Sequence, residues 1–401
     1  MNDDVALRRR RICFVVSHPI QYFVPLYRRL GRRDDVEIKV FFTWHAGGQP
    51  VEDRGFAQKI EWDIPLTDGY DFELVPNTSS NPGPYSFFGL RNPTLLDRVV
   101  AWRADVVHVS GWAWYSHLQL LRALHRRHIR TLFLGDSHLL DGAPAGLRGL
   151  IKDALLRRVF SWPSGFLAVG SVNRAYYQRF GVDLARLYPC PHSIDVRRFS
   201  EPAAAMEQEA SRWRLELGIA PEQKVLLYAG KFEPKKRPTE LMRAVAQLRD
   251  SAIVLIMVGA GELHGEINSL AAADPSRFRV LPFQNQTRMP IVYRLGDMFV
   301  LPSGSGETWG LAVNEALACG RPVIVSDRVG CAADVIDSSC GWVFRWNDWG
   351  EFNTLITKLA RCGFPLAAMR RGAFERARAF DVAVTETALL VAVESVCRNI
   401  A

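Results

Sequence analysis

No apolar run in this chain approaches the ~20 residues that cross a bilayer as a helix. The strand-like stretch following the cations Arg8 to Arg11 is only about six residues long, too short for a signal-peptide core, so secretion by that route is not expected. Paired cysteines are missing too. The seven present, at positions 13, 190, 319, 331, 340, 362 and 397, show no spacing suited to zinc, and their odd number argues against a disulfide framework. A reducing cytoplasm is the simplest setting for such a chain. Aromatic RNP strings and zinc-finger spacings are also lacking, which ranks nucleic acid last among the anionic partners that a net charge of +8 suggests. Nucleotide diphosphates and an anionic membrane surface remain, and charge alone does not choose between them.

What is present is enough chain, at 401 residues, for two domains of ordinary size, each with its own core. Hydrophobic residues at 48% and charged residues at 23% are those of a globular protein in water.

Short buried-type strands alternate with helical periodicity along the sequence, the pattern of an α/β protein with doubly wound sheets. Arg11 to Val16 (RICFVV) is a first strand, broken by Ser17-His18-Pro19 before helical spacing resumes at Tyr22. Ligands of doubly wound sheets bind beyond the carboxyl ends of strands, so His18 and Gln21 face the expected cleft, beside the plainer reading that His18 packs the turn. Val36 to Thr43 alternates as a second strand, and Trp44 to Arg91, rich in Gly, Pro, Asn and aromatics, predicts long loops. Within it Asn81 to Asn92 (NPGPYSFFGLRN) sets aromatics among turn residues; this suits a sugar or lipid acceptor surface, or the packing of an irregular loop. Thr131 to Gly135 is another strand, running into Asp136, Ser137 and His138. Arg148 to Trp162 reads as a basic amphipathic helix whose core face is Leu150, Ile151, Ala154, Leu155 and Phe160; the same pattern fits a helix lying on an anionic membrane. Lys224 to Ala229 opens a second sheet, and Gly230 to Pro238 (GKFEPKKRP) places cations at its carboxyl end.

The most informative stretch is Leu301 to Ile336, LPSGSGETWGLAVNEALACGRPVIVSDRVGCAADVI. Met298 to Leu301 ends in Pro302 and a Ser-Gly-Ser-Gly turn, and Gly310 then opens an apolar run that closes at Gly320, which reads as strand, glycine loop, helix. A helix starting there turns backbone N–H groups and the positive end of its dipole toward the loop, a setting for a diphosphate. Glu307 lies in the loop and Glu315 in the helix, with seven residues between them. Carboxylates accept hydrogen bonds from adjacent hydroxyls, so sugar and ribose suit such a pair, although in isolation a solvated loop residue and an ordinary helix former fit as well.

The string E-T-W-G-L-A-V-N-E-A-L-A-C-G-R-P-V-I-V-S-D closely resembles the nucleotide-sugar motif of retaining GT-B-fold glycosyltransferases of family 4, historically called group 1. The resemblance implies two Rossmann-like doubly wound domains facing across a cleft, an acceptor side at residues 1–199, a nucleotide-sugar side at 200–380, and a helix over 381–401 crossing back. Leu187 to Phe199 (LYPCPHSIDVRRF) resembles the family's linker string, with His192 and Ser193 where Asn-Gly is common. GKFEPKK resembles its second signature. By that resemblance Lys231 and Lys236, with the Gly310 and Leu311 N–H groups, hold the diphosphate; Glu315 holds the ribose; Glu307 contacts the donor sugar, with His138 beside it and Asp136 close by; Phe283 and Asn285 line the base. The first loop departs from the family's glycine pair in reading SHPIQYF, which leaves His18 and Gln21 for the acceptor.

The implied reaction transfers a sugar from a nucleoside diphosphate donor, UDP- or GDP-linked, to a hydroxyl of a glycan, lipid-linked or small-molecule acceptor, with retention. Neither cofactor nor metal is required, because the lysines and the helix dipole carry the charge. The common setting is synthesis of bacterial surface polysaccharide or lipid-linked oligosaccharide, in the cytoplasm or peripherally at the inner face of the membrane. Two rivals are an epimerase of the same fold and a non-catalytic sugar-nucleotide sensor.

Overall fold

The computed structural model describes residues 9–45, 47, 50–140, 142, 146–248, 252–361 and 363–398. Two compact units form, one from Met1–Gly48, Pro65–Pro191 and Val382–Ala401, the other from Gln49–Ile64 and His192–Asp381. The strands of the amino-terminal half are β1 (Arg10–Val16), β2 (Val36–Phe42), β3 (Val51–Asp53), β4 (Gln58–Ile60), β5 (Phe72–Leu74), β6 (Val106–Ser110), β7 (Thr131–Leu134), β8 (Gly165–Ala168) and β9 (Leu187–Pro189). Those that follow are β10 (Lys224–Ala229), β11 (Ile253–Val258), β12 (Phe278–Leu281), β13 (Met298–Leu301), β14 (Val323–Ser326) and β15 (Gly341–Phe344).

In the first unit the order is β5-β2-β1-β6-β7-β8-β9, with every neighbouring pair parallel. Parallel strands are covered by helices on both faces, so they need unbroken apolar runs; Ile12 to Val16 and Leu132 to Phe133 are accordingly buried throughout. One face packs an aromatic cluster in which Phe133 meets Phe166 at 5.6 Å and Phe160 meets Tyr177 at 5.5 Å between ring centroids. The closing helix Val382–Arg398 belongs to this unit. Its buried Glu386 pairs with Arg29 and, at 3.2 Å, with Arg33; Glu394 accepts from Arg10 at 3.1 Å.

In the second unit the order is β12-β11-β10-β13-β14-β15, again parallel throughout. All six residues of β11 are buried, and Leu226, Tyr228, Leu255, Met257, Val300, Ile324 and Phe344 build the core on one face. Truncating such a leucine to alanine costs about 2–5 kcal/mol. The chain turns back on its strand order beside β10 here and beside β1 in the first unit. These are the switch points at which doubly wound sheets open a crevice at the carboxyl edge.

Several sequence expectations are corrected. The stretch Trp44 to Arg91, expected as loops, contains the antiparallel hairpin β3–β4, with Val51 opposite Ile60 and Asp53 opposite Gln58, and the edge strand β5. Residues 49–64, expected with the first lobe, group with the second unit, and the chain changes unit after Pro191. The linker string carries a short strand, β9, because Leu187 extends the parallel ladder beside β8. Of the face expected for the helix Gly146–Phe160, only Phe160 is buried. Leu150, Ile151 and Leu155 are 69%, 61% and 43% exposed, as is Leu147 at 73%, while Leu156, Val159 and Phe160 turn inward. Apolar residues occur on both sides of this helix, and the pair Val159–Phe160 faces the aromatic core. The described cysteines form no disulfide.

Candidate functional site in the second unit

β10, β12 and β13 run parallel, so the loops that leave their carboxyl ends share one edge of the sheet. After β13 come Pro302 and the glycine loop, then the helix Leu311–Ala318. Gly310 caps that helix at φ 95°, a left-handed conformation in which a side chain is strained, and a Cβ there would lie 2.8 Å from Val329 Cγ1. The loop backbone is clamped from the other side: Gly330 N donates to Glu307 O at 2.9 Å and Cys331 N to Trp309 O at 2.9 Å. A Cβ on Gly330 would fall 1.9 Å from Thr308 O, so only glycine permits this approach. Trp309 is buried against His192 and Phe380 and fixes the end of the loop.

Within this frame Glu307 and Lys236 meet. Lys236 Nζ lies 2.5 Å from Glu307 Oε2, which also accepts from Ser303 Oγ at 3.0 Å. Burial works against ionising Glu307, yet the Lys236 ammonium and the two hydrogen bonds outweigh it and hold the carboxyl below its usual range. Glu315, on the first turns of the helix, goes the other way. Burial raises its pKa, opposed by the hydrogen bond it accepts from Tyr293 OH at 2.6 Å and by the charge of Arg198. Arg198 is held by Gln286 Oε1 at 2.7 Å. The site therefore combines one firmly ionised carboxylate with one that retains its proton more readily.

Lys231 follows β10, its carbonyl accepting from Tyr228 OH at 2.7 Å, and its ammonium is held by Asp53 at 2.8 Å. Phe283 and Asn285, beyond β12, meet the same excursion of chain: Phe283 lies edge-on to Phe56 at 4.8 Å, and Asn285 Nδ2 donates to Glu61 O at 2.6 Å. Among the described residues no group of three His, Cys, Asp or Glu gathers as for a metal ion.

Of the residues named from sequence, Glu307, Gly310, Leu311 and Glu315 share one loop–helix unit, which Lys236, from the loop after β10, joins through its ion pair to Glu307; Lys231, Phe283 and Asn285 stand on loops of the same sheet edge. The remaining candidates lie in the first unit. His18 follows β1 at the switch point, its Nδ1 2.8 Å from Ser17 Oγ and its ring stacked on His45 at 5.2 Å. Burial pushes His45 down to about 4, so it is neutral near pH 7. Gln21 is half-buried in the same turn. Asp136 and His138 follow β7 in a turn held by Asn173 Nδ2, which donates to Gly135 O at 2.9 Å and Ser137 O at 2.7 Å. His138 is buried and its Nδ1 accepts from Leu140 N at 3.2 Å, which leaves the ring proton of the neutral form on Nε2.

Sequence reading missed Tyr293, Arg198, Asp53 and Phe56. A tyrosine in the apolar string MPIVYR reads as core, and Asp53 lies 178 positions from Lys231, so no local pattern links them.

The two parallel sheets and their strand orders are those of the GT-B fold. HepE of Anabaena, solved in complex with UDP and glucose, superposes with a TM-score of 0.70 at 17% identity, over 96% of this chain and 100% of that one. A glycosyltransferase of Rickettsia africae gives 0.73 at 14% identity, over 98% and 100%. Residues 21–198 match the family Glycosyltransferase Family 4 and residues 209–378 match Glycosyl transferases group 1, so the chain joins a segment of each. D-inositol 3-phosphate glycosyltransferase 2 of Catenulispora acidiphila is 31% identical over 224 residues, 52% of this chain and 50% of that protein. D-inositol 3-phosphate glycosyltransferase of Actinosynnema mirum is 32% identical over 231 residues, 53% and 52% respectively. The chain thus spans about half the length of the curated relatives it matches.

Proposed function

We propose that the chain is a retaining glycosyltransferase that moves a sugar from a UDP- or GDP-linked donor to a hydroxyl of a glycan, lipid-linked or small-molecule acceptor. The observation that carries this reading is the Lys236–Glu307 pair at 2.5 Å, which ties the loop after β10 to the loop that leads into the Gly310-capped helix. Solved relatives of the same fold with UDP and UDP-glucose support a uridine donor.

In this reading the diphosphate lies at the amino end of the helix Leu311–Ala318. The Gly310 and Leu311 N–H groups and the ammonium groups of Lys236 and Lys231 meet the charge that grows on it as the sugar–phosphate bond breaks. Glu315 takes the ribose hydroxyls, with Tyr293 holding the carboxylate in place. Glu307, kept ionised by Lys236, accepts from hydroxyls of the donor sugar. Phe283 and Asn285 border the base. The acceptor oxygen attacks the anomeric carbon on the face the diphosphate leaves, and its proton passes to the departing phosphate oxygen. Within the first unit, His18, Gln21 and Asp136 are the acceptor-side candidates and His138 the catalytic one.

A peripheral membrane contact belongs to the same proposal. No helix among the described residues is long and apolar enough to cross a bilayer, but Leu147, Leu150, Ile151 and Leu155 form an outward apolar stripe beside Lys152, Arg157 and Arg158, all exposed. That arrangement suits a helix lying on anionic lipid.

Thermal stabilisation by UDP, GDP, ADP, dTDP and their sugars tests the donor site, because a ligand of the folded state raises the midpoint by mass action. One nucleotide standing out, followed by release of that nucleotide when acceptors are added, supports the enzyme. A shift without turnover on any acceptor favours the sensor, and no shift at millimolar concentration removes the donor site.

A further inference from the structure

The hairpin β3–β4 lies on the residues that the proposed donor needs. Asp53 holds the Lys231 ammonium with both carboxylate oxygens, at 2.8 and 3.1 Å. Its Oδ1 also accepts from Gly55 N at 2.9 Å and Phe56 N at 3.1 Å, which shapes the hairpin turn. That turn presses on the lysine: a Cβ on Gly55 would lie 2.6 Å from Lys231 Cδ and 2.7 Å from Glu233 Oε1. The Lys231 ammonium sits 5.0 Å from the Phe56 ring centroid, and Phe56 and Trp62 both contact Phe283. Thr287 N donates to the Asp63 carboxylate at 3.1 Å, closing the excursion beyond Asn285. A single short stretch of chain thereby engages the diphosphate cation and the base loop together.

The attachment is a weak one by its own chemistry. The hairpin pairs only three residues on each strand, and an isolated two-stranded ribbon is marginal in water. The Lys231 and Asp53 side chains are 31% and 30% exposed, so their pairing is screened by solvent. A diphosphate brings more negative charge to the same ammonium than one carboxylate does.

We propose that Asp53 is the internal counter-ion of the donor site: it occupies Lys231 where the donor diphosphate would bind, and so sets donor affinity by competition. This rests on the reading of Lys231 as a phosphate-binding cation. A donor exchanges the Asp53 carboxylate for its own phosphate oxygens, and the hairpin either lifts or re-seats on the nucleotide through Phe56.

Calorimetric titration of the full chain with UDP and with GDP tests this, using the wild type, Asp53→Asn, Lys231→Ala and the double variant. Asparagine keeps the shape and the Oδ1 acceptor that builds the turn, and equal melting temperatures check the fold. Asp53→Asn is expected to bind the nucleotide about 2- to 5-fold tighter, the range of an exposed ion pair, and to change nothing once Lys231 is alanine. Unchanged or weaker binding by Asp53→Asn, or the same gain in the Lys231→Ala background, overturns the proposal while leaving the donor site intact. No heat with any variant removes the donor-site reading and this proposal with it.

Discussion

Replacing Glu307 by alanine separates the structural work of this carboxylate from its proposed chemical work. The side chains of Glu307 and Lys236 are 14% and 18% exposed, so the substitution strands a mostly buried ammonium and deprives the fully buried Ser303 of its acceptor. Removing one partner of a fully buried pair costs about 3–5 kcal/mol. Lys236 keeps some access to water and can turn its flexible stem outward, so we expect about 1–3 kcal/mol here. In a unit of roughly 200 residues each kcal/mol lowers the midpoint by about 2–4 °C, and a calorimetric scan should show a fall of several degrees. The freed ammonium then has the diphosphate as its natural counter-ion. UDP or GDP affinity should therefore be kept or improved, while turnover falls by about two orders of magnitude or more, the scale of losing one fixed electrostatic contact in a transition state. Loss of nucleotide binding in proportion to turnover, in a variant that still melts cooperatively, refutes the separate roles of Glu307 and Lys236.

Other consequences follow from the same geometry. Gly330→Ala forces a Cβ against Thr308 O, so the clamp on the loop must open; we expect a loss of about 1–3 kcal/mol, or more, and of nucleotide binding, by thermal melt and titration. Burial raises Glu315 above its ordinary 4.5, so ribose binding should weaken as pH falls from neutral toward that value, and Glu315→Gln should bind weakly at every pH. Glu307 is shifted the opposite way, so its contribution to stability is complete above about 4.5 and disappears only as pH drops through its lower folded value; urea midpoints of wild type and Glu307→Gln should converge only below that value. Leu150→Ser with Ile151→Ser should leave melting unchanged, because both side chains are exposed, yet abolish flotation with phosphatidylglycerol-containing vesicles if that helix meets lipid. Equal flotation of wild type and variant rejects the membrane contact.

The parallel sheets were legible because a strand covered on both faces must be apolar throughout, and few other structures demand RICFVV or KVLLYA. The loop–helix unit was legible for a different reason: Gly310 and the spacing of Glu307 and Glu315 are local, and local geometry is written in adjacent residues. The hairpin β3–β4 was not legible, since VED and QKI are too short and too polar to read as strands, and what holds them is the second unit. The face of the helix Gly146–Phe160 was misread for a related reason. Its periodicity offers apolar residues in two directions, and only the aromatic core around Phe160 decides which turns inward. Tyr293 escaped because a hydrogen bond to a carboxylate 22 positions away leaves no trace in composition.

The route of the chain through the first unit bears on how the protein is made. Its sheet is synthesised by Pro191, but the helix that supplies Glu386 to Arg29 and Arg33 begins only at Val382, after the whole second unit has been synthesised. Until then Arg29 and Arg33 lack Glu386, and the surface that packs Leu389 and Val393 lacks its cover. The second unit meanwhile has everything it needs apart from residues 49–64, already made, and its ends at Ile194 and Asp381 are bridged side by side. Vectorial synthesis therefore makes every residue of the later unit before the earlier one has its last helix, so the first unit does not finish folding ahead of the second.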